Sequence, residues 1–185
     1  MHRLDRETSG ALLWARGYGS YYEARLQFIS RRVRKVYLCL CHGWPLPQHR
    51  FIEAPLEEER GRSAVSANGR PALTELSTVA HLQNAGGEVS LVRILLHTGR
   101  QHQIRAHLAA DGHGLVGDVA YGGKTEDWCG RTALHASSVA LLMGEGLCEA
   151  TVPLAPDLAS AVSTLQPLDA CGRCELLRTQ GSGWC

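Results

Sequence analysis

The chain has 185 residues, 44% hydrophobic and 20% charged, with 19 Lys and Arg against 18 Asp and Glu. That is the balance of one ordinary globular domain, and it excludes a disordered polymer, a disulfide scaffold and a protein of strongly one-signed charge. The net charge is only +1, yet residues 1–50 hold nine Lys/Arg and three Asp/Glu, whereas residues 51–90 hold three and six. Such a basic quarter either attracts phosphate or is a chance clustering of solvated charge.

The first stretch that carries chemistry is His2-Arg3-Leu4-Asp5-Arg6-Glu7-Thr8-Ser9-Gly10. An Asp flanked by fixed positive charge stays ionised, which suits a nucleophile or an electrostatic stabiliser better than a proton donor. A solvated ion pair shows the same pattern. The apolar run Ala11-Leu12-Leu13-Trp14 is expected to continue it as a buried strand. Between Gly17 and Arg32, Tyr22, Leu26, Ile29 and Val33 recur at helical spacing, with Arg25, Arg31 and Arg32 on the other face.

Lys35 to Gly43 alternates, so Val36, Leu38 and Leu40 share one face of a strand while Tyr37, Cys39 and Cys41 take the other. Short β signals follow at Phe51-Ile52 and Ala64-Val65, with Asn68-Gly69 as a hairpin turn. Thr74–Ala80 and Glu88–Leu96 read as two strands divided by Gly86-Gly87. The second delivers the chain into His97-Thr-Gly-Arg-Gln-His-Gln-Ile-Arg-Ala-His-Leu108, where the period changes to helical. There Thr98 can cap, Gln101, Ile104, Arg105 and Leu108 share a face, and Gly112 can end the helix. A strand-to-helix junction crowded with Arg, His and Gln suits an anion, or is only a solvated helix start. Gly112–Gly123 reads as a tight loop, Leu134–Leu142 as a strand and Asp157–Leu165 as a closing amphipathic helix behind Pro156. Residues 1–168 thus form the expected domain, and 169–185 a disordered tail.

Seven cysteines without framework spacing predict free thiols in an intracellular reducing compartment. Cys171-Gly-Arg-Cys174 is a single CxxC, short of a zinc ligand set. No run approaches a membrane span, so no membrane partner is expected. There is no dinucleotide fingerprint, phosphate-binding loop or zinc-protease motif; Gly122-Gly123-Lys124-Thr125 lacks the leading glycine of a phosphate loop.

His2 to Gly10 resembles the catalytic motif of the RluA family of pseudouridine synthases. Lys35-Val36-Tyr37 with Gly43 resembles the family's tyrosine strand, and Leu96 to Leu108 its third motif. Gly112–Asp118, Tyr121-Gly122 and Leu134-His135-Ala136 follow in the family's order. The resemblance implies an α+β fold, a mixed and mostly antiparallel sheet with helices and loops around one cleft. It implies an isomerase that converts uridine to pseudouridine in tRNA or rRNA, without cofactor or metal. By resemblance Asp5 is the nucleophile, Arg105 pairs with it, and Tyr37 stacks on the uracil and takes the C5 proton. Arg3, Arg6, Thr98, Arg100, His102 and Gln103 are the expected substrate-binding residues, and a monomer with no obligate protein partner is expected. The sequence departs from the family in beginning at the Asp motif, where a strand and a Lys-Pro segment usually precede it, and in Gln101, where Thr or Ser is usual. The first departure keeps two other readings open: an inactive RNA-binding remnant, or an incomplete gene model of a longer synthase.

Overall fold

The computed structural model describes residues 2–168 except Ala85 and Glu145; the expected tail and the Cys171–Cys174 pair lie outside the described residues. One mixed sheet dominates. Its main path runs β1 (Ser9–Gly10), β8 (Leu134–Met143), β2 (Arg34–His42), β7 (Gly87–Leu96), β6 (Leu73–Asn84), β10 (Gln166–Pro167). β3 (His49–Glu53) also pairs with β6, and β9 (Gly146–Thr151) with β8. Only β1 runs parallel to its neighbour; the other pairings are antiparallel. A separate hairpin, β4 (Leu56–Glu59) and β5 (Arg62–Val65), stands off this sheet.

The alternation in β2 fits its place in mid-sheet. Leu40 packs with Leu82, Leu91 and the helix α3 (Pro156–Ser163) on one face, whereas Tyr37, Cys39 and Cys41 pack with Val92, Ile94 and the helix α2 (Gln103–Ala110) on the other. With a helix over each face, both sets are buried except for half-buried Tyr37, each large aliphatic side chain contributing about 1.5–3 kcal/mol. No helix among the described residues is long and apolar enough to cross a membrane.

Four local expectations are corrected. The opening strand is only Ser9–Gly10, and Leu12 and Trp14 beyond it are exposed. In α1 (Tyr18–Ile29) the buried residue is Ala24, with Phe28 packed beside it against Val139 and Leu141, while Tyr22, Leu26 and Ile29 face outward. Two apolar stripes compete on this helix, and small Ala24 permits the closer approach to the sheet. The hairpin turn is Arg60-Gly61, both at positive φ, as a tight two-residue loop between antiparallel strands requires. Asn68-Gly69 instead folds the chain back so that Arg70 bridges to Leu56. Finally, α2 begins after His102 at φ 50, with no side-chain cap, so Thr98 is not its cap. Its end is as expected: Gly112 has φ 84, and the His113 N–H reaches the Leu108 carbonyl at 2.8 Å.

Two fully buried histidines bind distant segments together. His107 Nδ1 meets Thr74 Oγ1 at 2.8 Å and Nε2 meets the Ala54 carbonyl at 2.9 Å; His135 Nδ1 meets Ser9 Oγ at 2.9 Å and Nε2 the Val152 carbonyl at 3.2 Å. Burial is the chief cause lowering both below the ordinary histidine value. The unfolded chain therefore binds protons near pH 6.5 that the fold resists, so stability is full above that pH and falls as pH drops through it. Urea unfolding at pH 7.5 and 5.5 is expected to show a lower midpoint at 5.5, and an unchanged midpoint would contradict this account.

Candidate active site

A cavity of about 760 Å³ opens where the Asp segment, β2 and the turn before α2 meet. Asp5, Tyr37 and Arg105 all line it. They come from three elements, and each is held by partners far away in sequence.

The Asp segment is fixed at several points. A turn closes Asp5–Thr8 through a 2.9 Å backbone bond. His2 Nε2 accepts the Leu13 N–H at 2.8 Å and its ring stacks on Phe28. Glu7 Oε2 accepts from the Thr132 N–H and hydroxyl, and Arg131 donates to the Glu7 carbonyl and to Ser9 Oγ. Gly10 follows at φ 112, where a Cβ would collide with the Ala136 carbonyl. Only glycine allows β1 this approach to β8.

Asp5 itself has no side-chain hydrogen bond among the described residues. Its Oδ2 lies 3.6 Å from Arg105 Nη1 and its Oδ1 3.9 Å from His102 Nε2. The expected pairing with Arg105 is therefore one-handed. The fork of Arg105 is taken by Asp118, with Nε to Oδ2 at 2.7 Å and Nη2 to Oδ1 at 2.8 Å. Asp118 is 1% exposed, so its charge is neutralised by this bidentate pair. Tyr121 completes the clamp: its ring lies under the Arg105 guanidinium, 4.6 Å from centroid to Cζ. The Tyr121 hydroxyl accepts the Ser63 N–H at 2.8 Å and lies 2.9 Å from His102 Nδ1. That network assigns Nδ1 as acceptor and turns the Nε2 proton towards Asp5. Burial, the largest cause, keeps His102 below its ordinary value even though Asp5 pulls it up, so the ring is neutral at pH 7.

Tyr37 is half-buried, and its phenol is pushed up to about 12, first by burial and then by the Asp5 charge. It is protonated throughout the neutral range. The other expected substrate-binding residues divide. Arg3, Thr98, Arg100, His102 and Gln103 line the cavity. Arg6 does not; its side chain is 94% exposed beside Glu7. Gln103 spends its amide on the Thr98 hydroxyl, the Arg100 N–H, the Leu73 carbonyl and Thr74 Oγ1, so it and Thr98 line the cavity while their polar groups hold the turn together. Gln101 accepts from Arg3 at 2.6 Å and donates to the Gly61 carbonyl at 2.9 Å, a span that a Thr or Ser could not bridge. The groups that sequence reasoning left without a role are Asp118 and Tyr121. An isolated Asp inside an apolar, glycine-rich run was the available signal, because such an Asp needs a cationic partner once buried.

The family model for RNA pseudouridylate synthase matches residues 1–110. An uncharacterized RNA pseudouridine synthase of Chloroflexus aurantiacus is 38% identical, over 90% of this chain and 53% of its own length. The RNA pseudouridylate synthase domain-containing protein 1 of Bos taurus is 36% identical, over 91% of this chain and 60% of its own. Among solved structures, human RNA pseudouridylate synthase domain containing 1 superposes with a TM-score of 0.81 at 30% identity, covering 98% of this chain and 79% of that one. Human domain containing 4 shares the fold at a TM-score of 0.73 and 21% identity, over 89% and 75%. The chain spans only about half the length of the curated relatives it matches. From the Asp5 segment through the helix that carries Arg105, nearly all of the stretch that lines the cavity is the stretch the family shares, and the chain belongs to the RluA-type family of RNA pseudouridine synthases.

Proposed function

We propose that the chain isomerises uridine to pseudouridine in a structured RNA, tRNA or rRNA, with Asp5 as the nucleophile. One observation carries this reading: an unbonded carboxylate, a clamped arginine and a half-buried tyrosine converge on one cavity. A volume near 760 Å³ suits a single nucleotide flipped out of its stack. Asp5 attacks C1′ as the N1–C1′ bond breaks and that bond's electrons pass to the uracil. The freed ring turns, C5 bonds C1′ as the Asp5–C1′ bond breaks and the carboxylate is restored, C5 loses its proton and N1 gains one, so atoms and charge balance without a co-reactant. Arg105 Nη1, 3.6 Å from Oδ2, orients the Asp5 carboxylate, with His102 Nε2 3.9 Å from its other oxygen.

Tyr37 is the platform on which the uracil stacks. Because its phenol is protonated at neutral pH, it can accept the C5 proton only by giving up its own. Tyr37→Phe keeps the ring and removes that exchange. The expected result is RNA affinity within about twofold of wild type and a turnover lower by about 100-fold or more, as for loss of a general base. Turnover of Tyr37→Phe at the wild-type rate would assign the C5 proton to another group.

A further inference from the structure

We propose that Arg31, Lys35, Arg70 and Arg100 form an anion subsite on one wall of the cavity, which takes a backbone phosphodiester of the RNA beside the uridine held at Asp5. This rests on the RNA reading above. All four line the cavity. They differ from the arginines that hold the fold together: Arg50 pairs with Asp111, Arg105 with Asp118 and Arg131 with Asp157. Among the described residues no carboxylate lies within ion-pair distance of any of the four, although Glu58 lines the same cavity.

Lys35 and Arg100 are half-buried and Arg31 and Arg70 exposed beside them, and crowding like charges in this way is unfavourable unless an anion arrives. The groups feel one another. Burial first, then Arg31, lowers the Lys35 ammonium to about 8; burial first, then Arg70 and Arg31, lowers Arg100. The wall is also built in place. Lys35 Nζ donates to the Thr98 carbonyl at 3.0 Å, and Arg100 Nε to the Pro71 carbonyl at 3.1 Å. Each is thereby held by one donor while others remain for a ligand. Arg31 occupies the left-handed position that ends α1, at φ 57, where glycine is the usual residue. A strained arginine at this turn, lining the cavity with no carboxylate within ion-pair distance among the described residues, fits a role in binding rather than folding.

The test measures binding of a single-stranded, uridine-containing oligoribonucleotide across a series of salt concentrations, with pseudouridine read in parallel. Arg70→Glu is the leading variant, since its side chain makes no hydrogen bond among the described residues; Arg70→Gln/Arg100→Gln is the second. The subsite predicts that the slope of log K against log salt falls by about 0.7, the value for one single-strand phosphate contact. It also predicts a KM about tenfold higher, with kcat unchanged. An unchanged slope and KM in both variants overturns the subsite, and if pseudouridine still forms, the proposed function stands without it. A reduced slope in the variants, where the wild-type chain makes no pseudouridine in tRNA or rRNA transcripts either, keeps the subsite and overturns the catalytic reading.

Discussion

Asp5→Asn is expected to lower pseudouridine formation by more than about 1,000-fold while leaving the fold intact, because the loss of a covalent nucleophile removes the reaction path itself. The amide keeps the shape of the carboxylate but supplies no nucleophilic charge. The fold has little reason to respond. Asp5 makes no side-chain hydrogen bond among the described residues, its carboxylate is 24% exposed, and the fork of Arg105 remains on Asp118. Unfolding free energy should stay within about 1 kcal/mol of wild type. The check pairs a chemical-labelling assay for pseudouridine with urea unfolding. Wild-type turnover by the folded variant would remove Asp5 from the reaction.

Asp118→Ala should do the opposite in kind, damaging stability and activity together. Asp118 is 1% exposed, and both of its oxygens are engaged by Arg105. Its removal leaves a guanidinium 14% exposed, between the Tyr121 ring and Asp5, the one other carboxylate within ion-pair distance among the described residues. Breaking a buried pair from one side costs about 3–5 kcal/mol, and partial access of water to Arg105 places this case near about 3 kcal/mol. Arg105 then has reason to swing its fork onto Asp5, tying up the oxygens that attack the sugar in the proposed reaction. The expected outcome is a lower urea midpoint and product formation reduced by at least about 100-fold at a temperature where the variant is folded. An unchanged midpoint would show that Asp118 does not hold the arginine.

The residues that line the cavity were more legible than the scaffold that positions them. The alternation through Lys35–Gly43 separated Tyr37 from Leu38 and Leu40 because β2 lies in mid-sheet with a helix on each face. The facing of α1 was hidden, because spacing alone cannot say which of two apolar stripes meets the sheet, and Tyr22, Leu26 and Ile29 proved to be the outer one. β9 escaped notice, its residues being mostly exposed and without a buried alternation. Within the site, Asp5 and Arg105 stood out as motif residues. Their supports did not: Glu7 is held by Thr132 and Ser9 by His135 and Arg131, contacts that span more than 120 residues. Local pattern carries no information about such partners. The left-handed turn at His102 was hidden for a related reason, since Tyr121 from the glycine-rich loop meets its ring there.

The central claim is that this chain breaks and remakes the uridine glycosidic bond. It is tested most directly by incubating the purified chain with tRNA and rRNA transcripts tritiated at uridine C5. Forming the C5–C1′ bond expels the C5 hydrogen, so the account predicts tritium release in step with pseudouridine at defined positions, and neither with Asp5→Asn. Salt-sensitive RNA binding by the folded wild-type chain with no tritium released would contradict it, and would mark the chain as an RNA-binding protein that carries the family's site without its reaction.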